Sequence, residues 1–370
     1  MKNTIRLAAL VSAVAIAAAG CGDAPEEEGS GSGSGSTSTS TGAATGGAGG
    51  GGGADFTGCM VSDSGGIDDR SFNASAWAGL QKAETDLGIA PKFVESRTDA
   101  DYGPNINSLV ADDCGIIVTV GFLMGDATSE AATANPEERF AIVDSAPETP
   151  IENVKPLSFN TAEAAFLGGY LAAGMSESGT VATFGGAQIP PVTIFMDGFV
   201  DGVAYYNEQK GTDVQVLGWD KAAQNGSFTG DFEDQNKGRQ LAQNFISQGA
   251  DVILPVAGPV GLGAAAAAEA SGSTRLVWVD SDGTETAPQY AELFLSSVLK
   301  RVDNAVEAAT ADALEGDFTN EAYVGTLENE GVGLAPLAED VPEELAAEIE
   351  EVRQGIIDGT IAIESDSSPA

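Results

Sequence analysis

Two doubly wound α/β lobes are the fold class the sequence predicts, on three observations. From residue 57 onward short β-rich runs alternate with longer helical ones, the pattern of parallel sheets with crossover helices. Glycine and polar residues gather directly after the β runs, where such sheets bind ligands. Residues 55–370 are also too many for one ordinary core and suit two lobes.

The elements follow in order. Cys59-Met60-Val61 opens as a strand that breaks at Gly65-Gly66, and 71–87 reads as a helix. Phe93-Val94 is a strand, 106–111 part of a helix, and Gly115 to Val120 a continuous apolar run expected to be a buried strand, with Phe140 to Val143 repeating it. A second series begins near Phe159: helix 162–175, strands at 181–184 and 214–217, helix 238–247, and strands at 252–254 and 276–279. Residues 293–296 and then 298–314 are expected to return the chain to the first lobe. The last helix is 342–357, with Pro342 in its first turn. Beyond this alternation no tandem repeat is visible.

Ahead of the fold lies a different kind of sequence. Lys2 and Arg6 precede an apolar run from Leu7 to Ala19, interrupted by Ser12, that is too short to span a bilayer comfortably. It closes on Ala18-Ala19-Gly20-Cys21, which resembles the lipobox at which a bacterial lipoprotein is acylated on cysteine and cleaved. Residues 1–20 are therefore expected to be a signal peptide, Cys21 the lipidated N-terminus, and 21–54, rich in Gly, Ser and Thr with a Glu26-Glu27-Glu28 cluster, a disordered tether. The acyl chains would hold the protein to the membrane.

Composition excludes several classes of function. The chain carries 56 acidic against 16 basic residues, a formal charge of −40, and no histidine. Such acidity argues against nucleic acid or anionic headgroups as partners. Without histidine there is no Ser-His-Asp or Cys-His catalytic arrangement and no histidine zinc site; no cofactor or metal is expected. Cys59 and Cys114 form an even pair in an exported chain, each opening a β run of what should be neighbouring parallel strands, and a disulfide is expected.

The chemistry-bearing turns are 63–73, 121–126, 255–261 and 279–283. Four stretches, Gly65-Gly66-Ile67-Asp68-Asp69-Arg70-Ser71-Phe72-Asn73, Phe159-Asn160-Thr161-Ala162-Glu163-Ala164-Ala165-Phe166-Leu167-Gly168-Gly169, Gly258-Pro259-Val260-Gly261 and Ser297-Val298-Leu299-Lys300-Arg301-Val302-Asp303, resemble the basic-membrane-protein or purine-nucleoside-receptor family, the substrate-binding lipoproteins of ABC importers. The resemblance covers residues 57 to about 335. It implies a type I periplasmic-binding-protein fold, two α/β lobes joined by three crossing strands with the ligand clamped between them. The expected lobes are 55–160 plus 285–335, and 161–284 plus part of 336–370. The implied partners are a purine nucleoside and an ABC permease, and the protein is expected to be a monomer.

Carried onto this sequence, the resemblance implies ligand contacts at Asp69, Phe72 and Asn73, with Trp77 a turn further on and Asp126 from the loop after Val120. From the second lobe it implies Phe228 stacking on the base, Gly258 offering backbone groups, and Asp280 with Lys300 holding the ribose. Aromatic rings grip a flat purine while carboxylates accept hydrogen bonds from hydroxyls and ring N–H groups. Alternatives stand beside this reading. Phe72 and Phe228 could be core residues, Asp68 or Asp69 a helix cap, and Lys300 with Asp303 a helical i,i+3 pair. Phe232 could replace Phe228, and Asp282 could replace Asp280. A sensor of the same fold without a transporter is a competing function, as is a nucleoside hydrolase using Asp68, Asp69 or Asp126 with water.

Overall fold

The structure is a computed structural model describing residues 53–369; the expected signal peptide, Cys21 and the tether up to residue 52 lie outside the described residues. β1 (Thr57–Ser62), α1 (Phe72–Leu87), β2 (Ala90–Glu95), α2 (Asp99–Ala111), β3 (Ile116–Val120), α3 (Gly125–Ala134), β4 (Phe140–Val143) and β5 (Val154–Phe159) build the first lobe. The chain then crosses into α4 (Thr161–Met175), β6 (Thr180–Gly185), α5 (Pro190–Lys210), β7 (Gln215–Leu217) and a short hairpin, β8 (Trp219–Asp220) with β9 (Asn225–Gly226). α6 (Gln235–Ser247), β10 (Val252–Val256), α7 (Gly261–Ser271), β11 (Arg275–Asp280), α8 (Gly283–Thr286) and β12 (Phe294–Lys300) complete the second lobe's main run. α9 (Val302–Glu315) and β13 (Tyr323–Gly325) return to the first lobe, and the chain crosses once more into β14 (Val332–Leu334) and α10 (Glu343–Ile357).

The first sheet has the order β13-β5-β4-β3-β1-β2 and is parallel throughout; the second has the order β14-β12-β11-β10-β6-β7 and is parallel except where β14 runs against β12. Helices cover both faces, which is why β3 and β10 are buried along their whole length and read as apolar runs, broken in β3 only by Thr119.

Two expectations are corrected. β12 and β14 belong to the second sheet, not the first: β12 pairs with β11, and only α9 and β13, from the stretch 285–335, pack in the first lobe, α9 against α1. A strand buried on nearly every residue carries no sequence mark of which sheet it joins, because pairing is decided by distant backbone. The stretch 298–314, expected to return whole to the first lobe, likewise stays in the second sheet as far as Lys300 and enters α9 only at Val302.

α5 goes unmarked by apolar periodicity. Ten consecutive residues or near-consecutive positions from Val192 to Val203 are buried, so no amphipathic stripe exists, and its opening prolines, which read as breakers, occupy the first helical positions. α4 is buried on nearly all sides too. The two helices approach so closely that a Cβ at Gly198 would strike the Ala162 backbone and one at Gly202 the Phe166 carbonyl.

Cys59 and Cys114 are joined by a disulfide, with Cα atoms 6.0 Å apart. Cys59 lies inside β1 and Cys114 two residues ahead of β3, buried against Ile106 and Leu109 of α2. The bond closes 55 residues of chain, and loop-entropy arguments put its contribution at about 4 kcal/mol. Reduction should lower urea-unfolding stability by that order, and thiol labelling of the denatured, unreduced chain should find neither cysteine free; labelling at Cys59 or Cys114 would contradict the bond.

Candidate functional site

Between the lobes lies a cleft at the carboxyl ends of the strands. The first lobe contributes Asp63 after β1, Gly121 to Leu123 after β3 and Asp144 after β4, with Ser64, Asp69, Phe72 and Asn73 from the turn into α1. The second contributes Ile189, Pro191, Val192 and Phe195 from the start of α5, Phe232, the Val256 to Pro259 turn, Val279, Asp280 and Lys300. Both walls come from strand ends, as doubly wound sheets dictate.

Asp69 is a capping residue. Its carboxylate accepts hydrogen bonds from the backbone N–H groups of Ser71, Asn73 and Ala74, each 2.9 Å long, closing the N-terminus of α1. It lines the cleft, but its oxygens are engaged. Asn73 donates its side-chain N–H to Asp63 Oδ1 at 2.8 Å, while its own Oδ1 is buried without a partner, an acceptor open to a ligand N–H. Burial pushes the Asp63 carboxyl up to about 7, against the downward pull of the Asn73 hydrogen bond.

The cleft also holds one buried ammonium. Lys300 is 3% exposed, forms an ion pair with Asp144, and lies 4.9, 5.3 and 5.9 Å from the ring centroids of Phe72, Phe159 and Phe195. Asp280 accepts from the Ser71 hydroxyl at 2.8 Å across the cleft. Burial raises the carboxyl pKa of both Asp144 and Asp280, and Lys300 pulls both back. The two aspartates also share a backbone state, φ +65° and +67°, a left-handed conformation that costs an L-residue energy and that Asp tolerates better than most.

The fold thus brings Asp69, Phe72, Asn73, Gly258, Asp280 and Lys300 to one cleft and leaves three expected contacts elsewhere. Trp77 packs edge-on against Phe93, ring centroids 4.9 Å apart; the cleft lies beyond the N-terminus of α1, so only its first turn reaches in, and one turn further is about 5 Å away. Asp126 is exposed on the first turn of α3 because the intervening turn Phe122–Met124 presents Phe122 and Leu123 instead. Phe228 bridges to Gly185 and stands edge-on to Trp219, centroids 5.9 Å apart, as a wedge in the lobe. Phe232 holds the cleft position, its ring so close to Gly186 that a Cβ there would collide with it.

Asp63, Asp144 and Phe195 were not among the expected contacts. For the two aspartates the available signal was position alone, one residue past the end of β1 and of β4. Phe195 gave none, since its helix went unmarked. No group of three or more Cys, Asp or Glu side chains among the described residues is placed to hold a metal ion.

The raised Asp63 pKa has a stability consequence. Between its ordinary value of 3.8 and about 7 the folded protein holds a proton that the unfolded chain has released, so the Asp63 contribution falls as pH rises through that window. Asp63→Asn cannot ionise and should exceed the wild type in stability by up to about 4 kcal/mol at high pH, the gap closing toward acid pH. Urea unfolding of both proteins in mildly acid and mildly alkaline buffer checks this; a gap independent of pH would show that Asp63 ionises normally.

Residues 56–367 match the family described as ABC transporter substrate-binding protein, PnrA-like. A CD4+ T-cell-stimulating antigen of Listeria monocytogenes is 34% identical over 327 residues, covering 84% of this chain and 88% of that protein. The ABC transporter nucleoside-binding protein BmpA of Lactococcus lactis is 31% identical, covering 84% and 90%. Among solved structures, an ABC transporter solute-binding protein of Aeropyrum pernix superposes with a TM-score of 0.75 at 26% identity, over 84% of this chain and 94% of that one. Sequence and architecture agree, and the chain belongs to the PnrA-like, or basic-membrane-protein, family of ABC transporter substrate-binding proteins.

Proposed function

We propose that this protein is a lipid-anchored, extracytoplasmic receptor, acting as a monomer, that binds a purine nucleoside between its lobes and presents it to an ABC permease. The observation that carries the reading is a cleft lined by aromatic rings from both lobes around one charged cluster: Phe72 from one lobe and Phe195 and Phe232 from the other, with Lys300 4.9 Å from the Phe72 ring and 5.9 Å from the Phe195 ring, ion-paired to Asp144 and sharing the lining with Asp280. Rings on both walls suit a purine. Asp63 and the unpartnered Asn73 oxygen suit ring nitrogens. Asp280 accepts from ribose hydroxyls, with Lys300 compensating its charge, and the Gly258 turn supplies backbone groups. The Lactococcus relative is named for nucleoside binding, and relatives in Pyrococcus are named lipoproteins.

Hydrolysis finds less support. Of its three candidate carboxylates, Asp68 and Asp126 are exposed outside the cleft lining and Asp69 is committed to the α1 cap. Nucleoside incubated with the protein should be recovered intact.

Among the described residues no helix is long and apolar enough to cross a membrane, and attachment is assigned to Cys21, outside the described residues. Labelled palmitate fed to the producing cell should enter the wild type and not Cys21→Ser; equal labelling refutes the anchor. For the cleft, Asp280→Ala should weaken nucleoside binding by roughly 2 to 4 kcal/mol, since it removes the carboxylate that accepts from the sugar hydroxyls and from Ser71, while Lys300 keeps its pairing with Asp144. Free purine base should lose far less. Phe232→Ala should weaken nucleoside and base about equally through lost stacking. Calorimetry on these combinations decides; nucleoside binding unchanged in a folded Asp280→Ala would overturn the ribose assignment.

A further inference from the structure

Asp197, two turns into α5, is a fully buried carboxylate that the proposed ligand contacts do not use. It accepts three hydrogen bonds from two separate stretches of chain: Trp219 Nε1 at 2.8 Å, Gln224 Nε2 at 3.2 Å and Ser365 Oγ at 2.6 Å. Trp219 and Gln224 belong to the β8–β9 hairpin and its turn, and Ser365 to the stretch 361–368, which ends in a turn closed by the Ser368 N–H on the Ser365 carbonyl. Exposure alternates along that stretch: Ile361, Ile363, Ser365 and Ser367 are half-buried, while the residues between them are exposed. Ser367 shares a 2.7 Å hydroxyl hydrogen bond with Thr193 of α5. Lys221, from the hairpin turn, donates to the Glu364 carbonyl and pairs with Asp201 of α5.

Both elements held here continue into the cleft. α5 carries Val192 and Phe195 into its lining, and the hairpin runs on through Phe228, whose ring meets Trp219, to Phe232. We propose that residues 361–368 form a strap which, through Asp197, holds these two parts of the cleft's aromatic wall in register, so that Asp197 is a positioning residue for ligand affinity. A buried carboxylate needs its donors. Loss of one loosens the contact between α5 and the hairpin, and the separation of Phe195 from Phe232 loosens with it. The choice of ligand below rests on the nucleoside reading; the strap does not.

The test compares Ser365→Ala, Ser365→Thr and Asp197→Asn with the wild type in two measurements. Hydrogen exchange of the ligand-free protein over 189–199 and 226–234 reads the wall directly, and calorimetry with adenosine and adenine reads affinity. Ser365→Ala should speed exchange in both segments and weaken adenosine and adenine alike, roughly 3- to 10-fold, with Ser365→Thr restoring both. Asp197→Asn should act in the same direction. If it fails to fold, Ser365→Ala, whose side chain lies on the strap, still decides. Wild-type exchange in both segments of Ser365→Ala, or faster exchange confined to 361–368, overturns the proposal. A wild type that binds no nucleoside defeats the nucleoside reading alone, and exchange then judges the strap by itself.

Discussion

One buried ammonium sets the conditions for the rest of the cleft. Lys300 ends β12 just before the chain crosses to the first lobe, and it meets Asp144 of that lobe and the field of Asp280 of its own. A lone charge so deeply buried would be costly, and a carboxylate partner with aromatic faces around it offsets much of that cost. Because its partners come from both lobes, the same residue that serves the site also ties the lobes across the cleft floor, together with the Ser71 to Asp280 hydrogen bond.

The carboxylates outnumber that ammonium. Asp63, Asp69, Asp144 and Asp280 line the cleft with Lys300 as the cation among the lining residues, and burial raises the pKa of all four. The fold handles the excess in different ways: Asp69 is satisfied by three backbone N–H groups, Asp144 by Lys300, and Asp63 sits close to protonation at neutral pH. A cleft arranged like this suits a neutral ligand rich in donors, and repels anions.

Geometry at the strand ends gives the site its shape. The paired left-handed conformations of Asp144 and Asp280 turn each chain sharply as it leaves its sheet, at matching places in the two lobes. The strain is local and is tolerated where tertiary contacts hold the backbone. Gly186 plays the opposite part, its missing side chain leaving room for the Phe232 ring.

The alternation of β runs and helices, the strand-end positions of the polar turns and the pairing potential of Cys59 with Cys114 were all legible in the sequence, because local hydrophobic period and turn chemistry carry them. So were Phe72, Asn73 and Lys300 as residues of the cleft, through motifs in order along the chain, and Asp280 through its place at a strand end. Tertiary structure alone decided the sheet that β12 joins, the helix α5, whose all-round burial erases any stripe, and the exchange of Phe228 for Phe232. It also decided that Asp69 caps while Asp63 and Asp144 face the cleft. In each case the deciding contact lies far away along the chain, and a residue's own neighbours in sequence record which elements form but not which distant surfaces they meet.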